Sequence, residues 1–253
     1  MTNYLKISYG GYAYQSTIDL PATFTEGQPG RLRTSLPPGV DGAFTAGGLL
    51  GARRPSIKGT LTVPGTGVVQ TDLATLRNAW DNFKAVHAPG LPKQLIIDDD
   101  RYLNCEVETI GDVEWNGLLY KDYLVTFFAA DPYWYSVVLN SVTFGAGLGG
   151  TVTTNGTGTA KPIITIPITA APAGGLITLS VTGGATCTLS PDAAATFIID
   201  TTQETVTSSG VDKTTLFGGE FLRLAAGANT VNITASNAAT FGAVQVQWRD
   251  RWY

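Results

Sequence analysis

Apolar and polar residues alternate along short stretches of the first half of the chain. Residues 5–9 and 12–18 both alternate, and Gly10 and Gly11 lie between them. Two glycines between alternating runs predict a β-hairpin, because both turn positions can adopt a positive φ. Residues 56–63 alternate in the same way and predict a further strand.

Two more hairpins are predicted before the middle of the chain. The first covers 95–107, with the acidic run 98–100 as its tight turn, and the second covers 109–129. Asn116 and Gly117 form the turn of the second hairpin, which is a residue pair typical of this geometry. The first half is therefore expected to be rich in antiparallel strands.

One segment of the first half has the periodicity of a helix. Its apolar residues recur at steps of three and four, at Leu73, Leu76, Trp80 and Phe83. Thr71 or Asp72 is the expected N-terminal cap, and Ala-Pro-Gly at 88–90 ends the segment, because proline cannot continue a helix. We therefore expect this helix to pack on the sheet of the first half.

The second half consists of short alternating runs separated by glycine-rich turns. These runs are 163–166, 176–181, 185–189, 197–200, 221–224, 230–234 and 243–248. Such spacing predicts an antiparallel β-sandwich or jelly roll. The composition changes at a corner expected between the domains, formed by Asp131, Pro132, Tyr133 and Trp134. We therefore expect a mainly β protein with domains at 1–136 and 137–253.

Residues 24–55 show little periodicity and contain four arginines among glycines and prolines. A solvated surface loop is one interpretation. The other is an arm that becomes ordered against a neighbouring subunit, with its arginines paired to that subunit's carboxylates. The arm hypothesis is favoured because several apolar residues would otherwise be exposed. Its candidate interface residues are Arg31, Arg33, Phe44, Arg53 and Arg54.

Composition and charge narrow the range of functions. Charged residues make up 14% of the chain and its net charge is −4, so no dense basic face is expected to grip DNA. Cys105 and Cys187 are expected to be buried, reduced thiols. No secretory signal and no apolar run near ~20 residues is visible, so no membrane insertion is expected.

No catalytic or metal-binding constellation is evident. His87 is the one histidine and is expected at the surface near the end of the helix. With no second histidine and no CxxC spacing the sequence offers no zinc site, and it contains no Gly-x-Ser-x-Gly nucleophile elbow. The glycine-rich stretch 145–150 is interpreted as a flexible link between domains. We therefore expect no enzymatic activity and no cofactor.

The order of elements resembles the siphophage distal tail (Dit) protein family over essentially the whole chain. The resemblance is strongest at 123–135, where an apolar strand meets an Asp-Pro-Tyr corner, and at 155–166, where a glycine turn and a proline lead into a strand. It continues at 197–200 and 224–233, which are similar to paired strands that end in a Gly-x-Asn turn. The chain departs from the family at Ala226, where a proline before the glycine is more usual.

This resemblance implies a tail-tube-like β-sandwich or barrel with one flanking α-helix, followed by a galectin-like antiparallel β-sandwich of jelly-roll type. It also implies a homo-oligomer, the hexameric ring that joins the tail tube to the baseplate or tip proteins and continues the DNA channel. DNA would then be passing cargo, and the protein would be made in the host cytoplasm and located at the virion tail tip. The candidate arm would lie at the ring contacts.

Two other functions are compatible with the sequence. A galectin-like domain could serve as a carbohydrate-binding module for host surface glycans, with aromatic residues of the segment 248–252 as one candidate stacking surface. Packing of those aromatic residues within the protein is the favoured interpretation. The second alternative is a tail tube subunit, which would share the first domain.

Overall fold

A computed structural model describes residues 6–14, 23–26, 30–35, 44–63, 65–115, 120–147 and 149–253, with the backbone alone at 23, 30–35, 44–50 and 112–115. The described chain forms two units, Met1–Trp134 and Tyr135–Tyr253. Both are built from antiparallel strands, and the only α-helix among the described residues is α1 (Val69–Val86) in the first unit. The predicted mainly β fold with one helix in its first half is confirmed.

The strands of the first unit form one antiparallel sheet and a separate hairpin. The strands are β1 (Ile7–Tyr9), β2 (Tyr12–Ala13), β3 (Thr23–Thr25), β4 (Gly30–Ser35), β5 (Phe44–Leu50), β6 (Ser56–Thr62), β7 (Lys93–Ile97), β8 (Arg101–Trp115) and β9 (Tyr120–Phe128). The sheet has the order β2-β1-β7-β8-β9-β6-β3, and β4 pairs with β5. The pairs β1–β2, β7–β8 and β8–β9 in this order are also consecutive along the chain.

The strand pairings of the three predicted hairpins are confirmed as β1–β2, β7–β8 and β8–β9, whereas the predicted turn at Asn116 and Gly117 lies outside the described residues. Gly10 and Gly11 both have positive φ, at 54° and 88°, in the turn between β1 and β2. The acidic run also forms a tight turn, between β7 and β8, in which Asp98 and Asp99 have φ of 49° and 60°. Asp98 accepts a hydrogen bond from the backbone N–H of Lys6 at 2.7 Å, and this bond helps to fix the turn.

The helix begins before both of the expected caps, Thr71 and Asp72. Its first residue is Val69, and Val68 at the N-cap forms no side-chain hydrogen bond to the helix. The Asp72 carboxylate instead accepts hydrogen bonds from the backbone N–H and hydroxyl of Thr66, at 2.9 and 2.6 Å. Asp72 therefore ties the preceding loop to the first turn of the helix. The predicted apolar face is confirmed, because Leu76, Trp80 and Phe83 are buried and Leu73 is partly buried.

Segment 24–55 is not a single irregular stretch, as its weak periodicity suggested. It contains β4 and β5, which pair in antiparallel fashion from Gly30–Leu50 to Ser35–Phe44. It also contains most of β3, which pairs with β6. The apolar–polar alternation of a strand is hard to recognise here. Leu32 is the one large apolar residue of β4, and β5 contains two consecutive glycines.

The second unit is a two-sheet antiparallel sandwich. Its strands are β10 (Trp134–Ser136, which begins at the last residue of the first unit), β11 (Asn140–Phe144), β12 (Gly150–Thr154), β13 (Ile163–Ala170), β14 (Leu176–Val181), β15 (Thr186–Leu189), β16 (Thr196–Asp200), β17 (Thr205–Ser208), β18 (Val211–Asp212), β19 (Phe217–Gly219), β20 (Gly227–Ser236), β21 (Thr240–Phe241), β22 (Val244–Trp248) and β23 (Arg251–Trp252). One sheet has the order β11-β22-β13-β16-β17-β18, with β21 beside β13, and the other β12-β20-β14-β15-β19; β10 and β23 belong to neither sheet and pair with each other.

Alternate residues of both sheets fill one core in the second unit. Ile164 and Val246 from one sheet and Leu179 and Ile233 from the other are all at most 2% exposed and belong to the same apolar cluster. Partly buried or exposed residues lie between them along each strand, as expected for a half-buried strand. The predicted sandwich is confirmed.

Two local predictions for the second unit are wrong. The glycine-rich stretch 145–150 joins β11 to β12 within this unit and is not a link between domains. A Cβ at Gly149 would overlap the carbonyl oxygen of Val231, so close backbone packing requires this glycine. The predicted strand 221–224 is also absent: β19 ends at Gly219, and Leu224 forms one isolated bridge with Ala160.

Candidate functional site

Arg53 and Arg54, near the end of the candidate arm 24–55, both contact other residues of the first unit. Arg53 forms a backbone bridge with Ala129, with hydrogen bonds of 3.0 and 2.9 Å, and its side chain is 2% exposed. Its Nη1 donates to Oε1 of Glu26, forming an ion pair. The indole Nε1 of Trp134 donates to the same oxygen at 2.6 Å, and the Arg53 guanidinium lies 5.9 Å from the Trp134 ring centroid.

This cluster closes the base of the β4–β5 hairpin. Glu26 follows β3 and precedes β4, whereas Arg53 follows β5. Their ion pair therefore joins the two ends of the segment that contains the hairpin. Because the Arg53 charge is buried, loss of its carboxylate partner would leave it without charge compensation there, which is a costly state.

Arg54 occupies a more open position. Its Nε lies 3.0 Å from each carboxylate oxygen of Glu108, and its guanidinium lies 5.1 Å from the Phe128 ring centroid. Its side chain is 57% exposed, so this pair contributes little to stability. Arg54 thus presents both a cation and an aromatic neighbour at the surface of the unit.

Arg53 and Arg54 have carboxylate partners within their own chain, Glu26 and Glu108. The expected pairing of arm arginines with carboxylates of a neighbouring subunit stays a prediction. Arg31 and Arg33 lie in β4 and Phe44 begins β5, and the side chains of these three residues are outside the described set. A role of all five residues at an interface stays a prediction.

The Asp-Pro-Tyr corner lies at the end of the first unit. The Asp131 carboxylate accepts a hydrogen bond from the backbone N–H of Tyr133 at 3.2 Å, which forms a local turn, and Pro132 is buried. Trp134 is 3% exposed, and the ring of Phe24 contacts it edge-on at 6.1 Å. The corner role of residues 131–134 between the two domains stays a prediction.

His87 is not a surface residue, and this expectation was wrong. It is fully buried at the C-cap of the helix, where its Nδ1–H donates to the Phe83 carbonyl at 2.7 Å and its Nε2 accepts from the Tyr14 hydroxyl. Burial lowers the pKa of His87 to about 4, so the imidazole is neutral near pH 7. Its position four residues after Phe83 continues the apolar helix face, and that spacing was the missed signal.

The two cysteines are buried in the interior of the units that contain them. Cys105 and Cys187 are free and buried, as predicted, and burial raises the pKa of each thiol to about 12, so neither is a reactive thiolate at neutral pH. Among the described residues, no group of three or more His, Cys, Asp or Glu side chains could hold a metal ion. No helix in the same part of the chain has the length and apolar character needed to cross a membrane.

The aromatic segment at the chain end is part of the second unit's structure. Trp248 is 7% exposed and belongs to the core, and its indole N–H donates to Asp250 at 3.2 Å. The buried Asp250 carboxylate also accepts hydrogen bonds from the Asn155 backbone N–H at 3.0 Å and the Asn140 side chain at 3.1 Å. Trp248 is therefore a packing residue, as favoured from the sequence, and Asp250 links three separate segments.

The overall fold is that of a phage distal tail protein. Over 98% of this chain and 99% of the other, it is similar to the Dit protein (gp 19.1) of phage SPP1, with a TM-score of 0.77 and 13% identity. The SPP1 protein is known as a paradigm of the hub adsorption apparatus in phages that infect Gram-positive bacteria. The fold implied by the family resemblance is therefore confirmed.

Weaker likenesses connect the chain to two structures of the activated phage P2 baseplate, one with Ca and one with Sr. Their TM-scores are 0.45 and 0.42, each at 8% identity, with 97% and 95% of this chain covered and 97% of each other chain. No protein-family model matches the sequence, and no curated protein sequence is significantly similar to it.

Proposed function

We propose that this chain is a non-enzymatic structural protein of a long-tailed phage virion and forms the distal tail ring. Its ring joins the tail tube to the baseplate or tip proteins and continues the channel through which DNA passes. The protein is made in the host cytoplasm and incorporated at the tail tip. The observation that carries the proposal is the similarity to SPP1 Dit over nearly the full length of both chains, including both units.

The sheet of the first unit supports assembly through the strands at its two ends. In the described part of the chain, β2 and β3 end the sheet order and each has one neighbouring strand. Exposed strand edges favour pairing with other chains, and a closed ring satisfies such edges with a fixed number of copies. The β4–β5 hairpin, which the Glu26–Arg53 ion pair closes at its base, is a second candidate ring contact.

The net negative charge of the chain is compatible with a channel through which DNA passes. A net charge of −4 gives little attraction for phosphate groups, so a polymer can slide past without being held. In this role DNA is cargo and needs no sequence-specific contact.

Mass photometry of the purified full-length protein tests the proposal, because the expected species is a closed hexamer. A tail tube subunit would instead form open-ended filaments with no single mass.

Arg54→Glu tests the interface role of Arg54. The Arg54 side chain is exposed, so the substitution should leave the first unit folded. We expect it to weaken assembly, with Arg77→Glu on the exposed helix face as the matched control; equal assembly of both variants would argue against an interface role for Arg54.

A further inference from the structure

A pocket of about 330 Å³ opens at the surface of the first unit. This acidic pocket is lined by the carboxylates of Glu26, Asp98 and Asp100 and by the side chains of Phe24, Ile97 and Trp134. Its volume falls within the range of about 300–1,000 Å³ found for small-ligand sites. It therefore has room for one side chain of another molecule.

The acidic pocket combines two separate parts of the sheet. One part is β3 with the residue that follows it, and the other is the end of β7 with the turn before β8. In the sheet order, β8, β9 and β6 lie between β7 and β3. The pocket is therefore a product of the folded unit and has no counterpart in a local sequence motif.

Two aromatic rings with defined positions form the apolar side of the pocket. The indole Nε1 of Trp134 donates to Oε1 of Glu26 at 2.6 Å, and the Phe24 ring lies edge-on to the Trp134 ring at 6.1 Å. Trp134 is 3% exposed, whereas Phe24 is only partly buried. An aromatic ring beside a carboxylate attracts a cation through both the π face and the negative charge.

The turn at 98–100 holds two of the carboxylates in place. Asp98 and Lys6 exchange two hydrogen bonds of 2.7 Å, one from the Lys6 N–H to the Asp98 carboxylate and one from the Asp98 N–H to the Lys6 carbonyl. The Asp100 N–H donates to the Ile97 carbonyl at 3.2 Å. The rim of the pocket is thus ordered before a ligand arrives, as a preformed binding site requires.

The charges at the pocket favour a cation. Among the described lining residues the only cation is Arg101, whose Nε lies 3.7 Å from the Asp100 carboxylate with both side chains exposed, so this pair is weak. Arg53 pairs with Glu26 from outside the lining. Two guanidinium groups therefore face three carboxylates, and the excess of negative charge attracts a further cation and repels phosphate groups.

We propose that the acidic pocket binds an arginine side chain carried by an extended segment of a partner protein. The guanidinium would donate to the carboxylates of Asp98 and Asp100 and lie against the Phe24 ring. Its planar fork matches both a carboxylate and a ring face, which the compact ammonium of lysine does not. The aliphatic part of the arginine would pack on Ile97.

The position of the pocket favours a protein as the source of the cation. Glu26 directly follows β3, which in the described chain ends the sheet order with β6 as its one neighbour. A partner segment that lies along such a strand gains main-chain hydrogen bonds in addition to the side-chain contact, whereas a free cation gains only the latter. Arginine is also among the residues that contribute most to the affinity of protein interfaces.

Arginine binding at this pocket goes beyond the proposed function, because a ring can close without it. A closed hexamer whose pocket binds no arginine would leave the assembly proposal intact. A monomer whose pocket binds arginine would leave the present inference intact.

NMR of the full-length protein with isotope-labelled tryptophan tests the pocket, because the Trp134 indole N–H donates to a lining carboxylate. The probes are a blocked pentapeptide with arginine at its centre and the same peptide with citrulline, which keeps the side-chain shape but lacks the charge. We expect the arginine peptide to shift the Trp134 indole signal and to bind at least about fivefold more tightly than the citrulline peptide. Equal affinities of the two peptides would overturn the proposal.

Calcium chloride and putrescine are the comparison probes for a free cation. We expect the Trp134 signal to respond to the arginine peptide at a lower concentration than to either of them. A response to calcium or putrescine at the lower concentration would define a small-cation site and overturn the assignment to a protein side chain.

Two variants of the same turn locate the binding. Asp100→Asn should weaken binding of the arginine peptide by about two- to fivefold, because it removes one carboxylate charge from the lining. Asp99→Asn is the matched control and should bind as the parent does, because Asp99 lies outside the lining and pairs with Lys6 at 3.2 Å. Both side chains are exposed, and asparagine tolerates the φ of 60° at Asp99, so both variants should fold. Unchanged affinity in Asp100→Asn, or equal weakening in the two variants, would overturn the assignment to this pocket.

Discussion

Glu26 and Arg53 form an ion pair across the base of the β4–β5 hairpin, 27 residues apart in the chain. The pair is asymmetric, because the Arg53 side chain is 2% exposed whereas that of Glu26 is 53% exposed. A buried guanidinium depends on its few partners, and Trp134 shares the same carboxylate oxygen. The hairpin is thereby attached to the last residue of the first unit as well as to its sheet.

Loss of the Arg53 side chain should destabilise the first unit. We expect Arg53→Ala to lower the free energy of unfolding by about 2–4 kcal/mol, because the ion pair and buried volume are lost together. Arg54→Ala is the matched control and should cost at most about 1 kcal/mol, because its pair with Glu108 is exposed. Chemical denaturation measures both unfolding free energies. Equal losses in the two variants would show that the buried Glu26–Arg53 ion pair stabilises the unit no more than the exposed Arg54–Glu108 pair does.

The buried imidazole predicts a dependence of stability on pH. His87 has a folded-state pKa of about 4 and an ordinary value of 6.5, so between these pH values the unfolded chain binds a proton that the folded chain does not. Its contribution is fully present above pH 6.5 and declines as the pH falls, by roughly 3 kcal/mol by pH 4. Denaturation at pH 7, 5.5 and 4 measures the decline.

His87→Phe supplies the comparison for this pH series. The replacement keeps a buried ring but removes the titration, so its unfolding free energy should fall less between pH 7 and pH 4 than that of the parent. The carboxylates remain in both proteins, and their contribution cancels in the difference. Parallel curves would contradict the assignment of His87 as a buried neutral group.

The Asp250 carboxylate should contribute to the stability of the second unit. Asp250→Asn replaces one acceptor oxygen by a donor, although the carboxylate accepts bonds from Asn140, Asn155 and Trp248. We expect a loss of about 1–3 kcal/mol and faster hydrogen exchange at the Asn155 amide. Asp192→Asn is the control, because that carboxylate pairs with Lys213 at the surface; similar effects of the two changes would refute the linking role of Asp250.

Local features of the fold were predictable from the sequence. The hairpin at Gly10 and Gly11, the turn at 98–100 and the apolar face of the helix each depend on residues close together in the chain. Sandwich strands such as β14 and β22 were also predicted, because their alternation follows directly from one buried face.

Features that depend on distant partners were not predictable. Arg53 became a buried residue because Glu26 and Trp134 lie beside it in the folded unit, and no local pattern encodes that contact. Two partners of Asp250, Asn140 and Asn155, lie at the opposite end of the second unit's sequence.

Negative-stain electron microscopy of the purified full-length protein tests the central claim most directly. The proposed distal tail function predicts closed six-fold rings with an open central channel, in which Arg54→Glu reduces the fraction of closed particles and Arg77→Glu does not. A field of single copies at high protein concentration, or of open filaments that grow without closing, would contradict the claim.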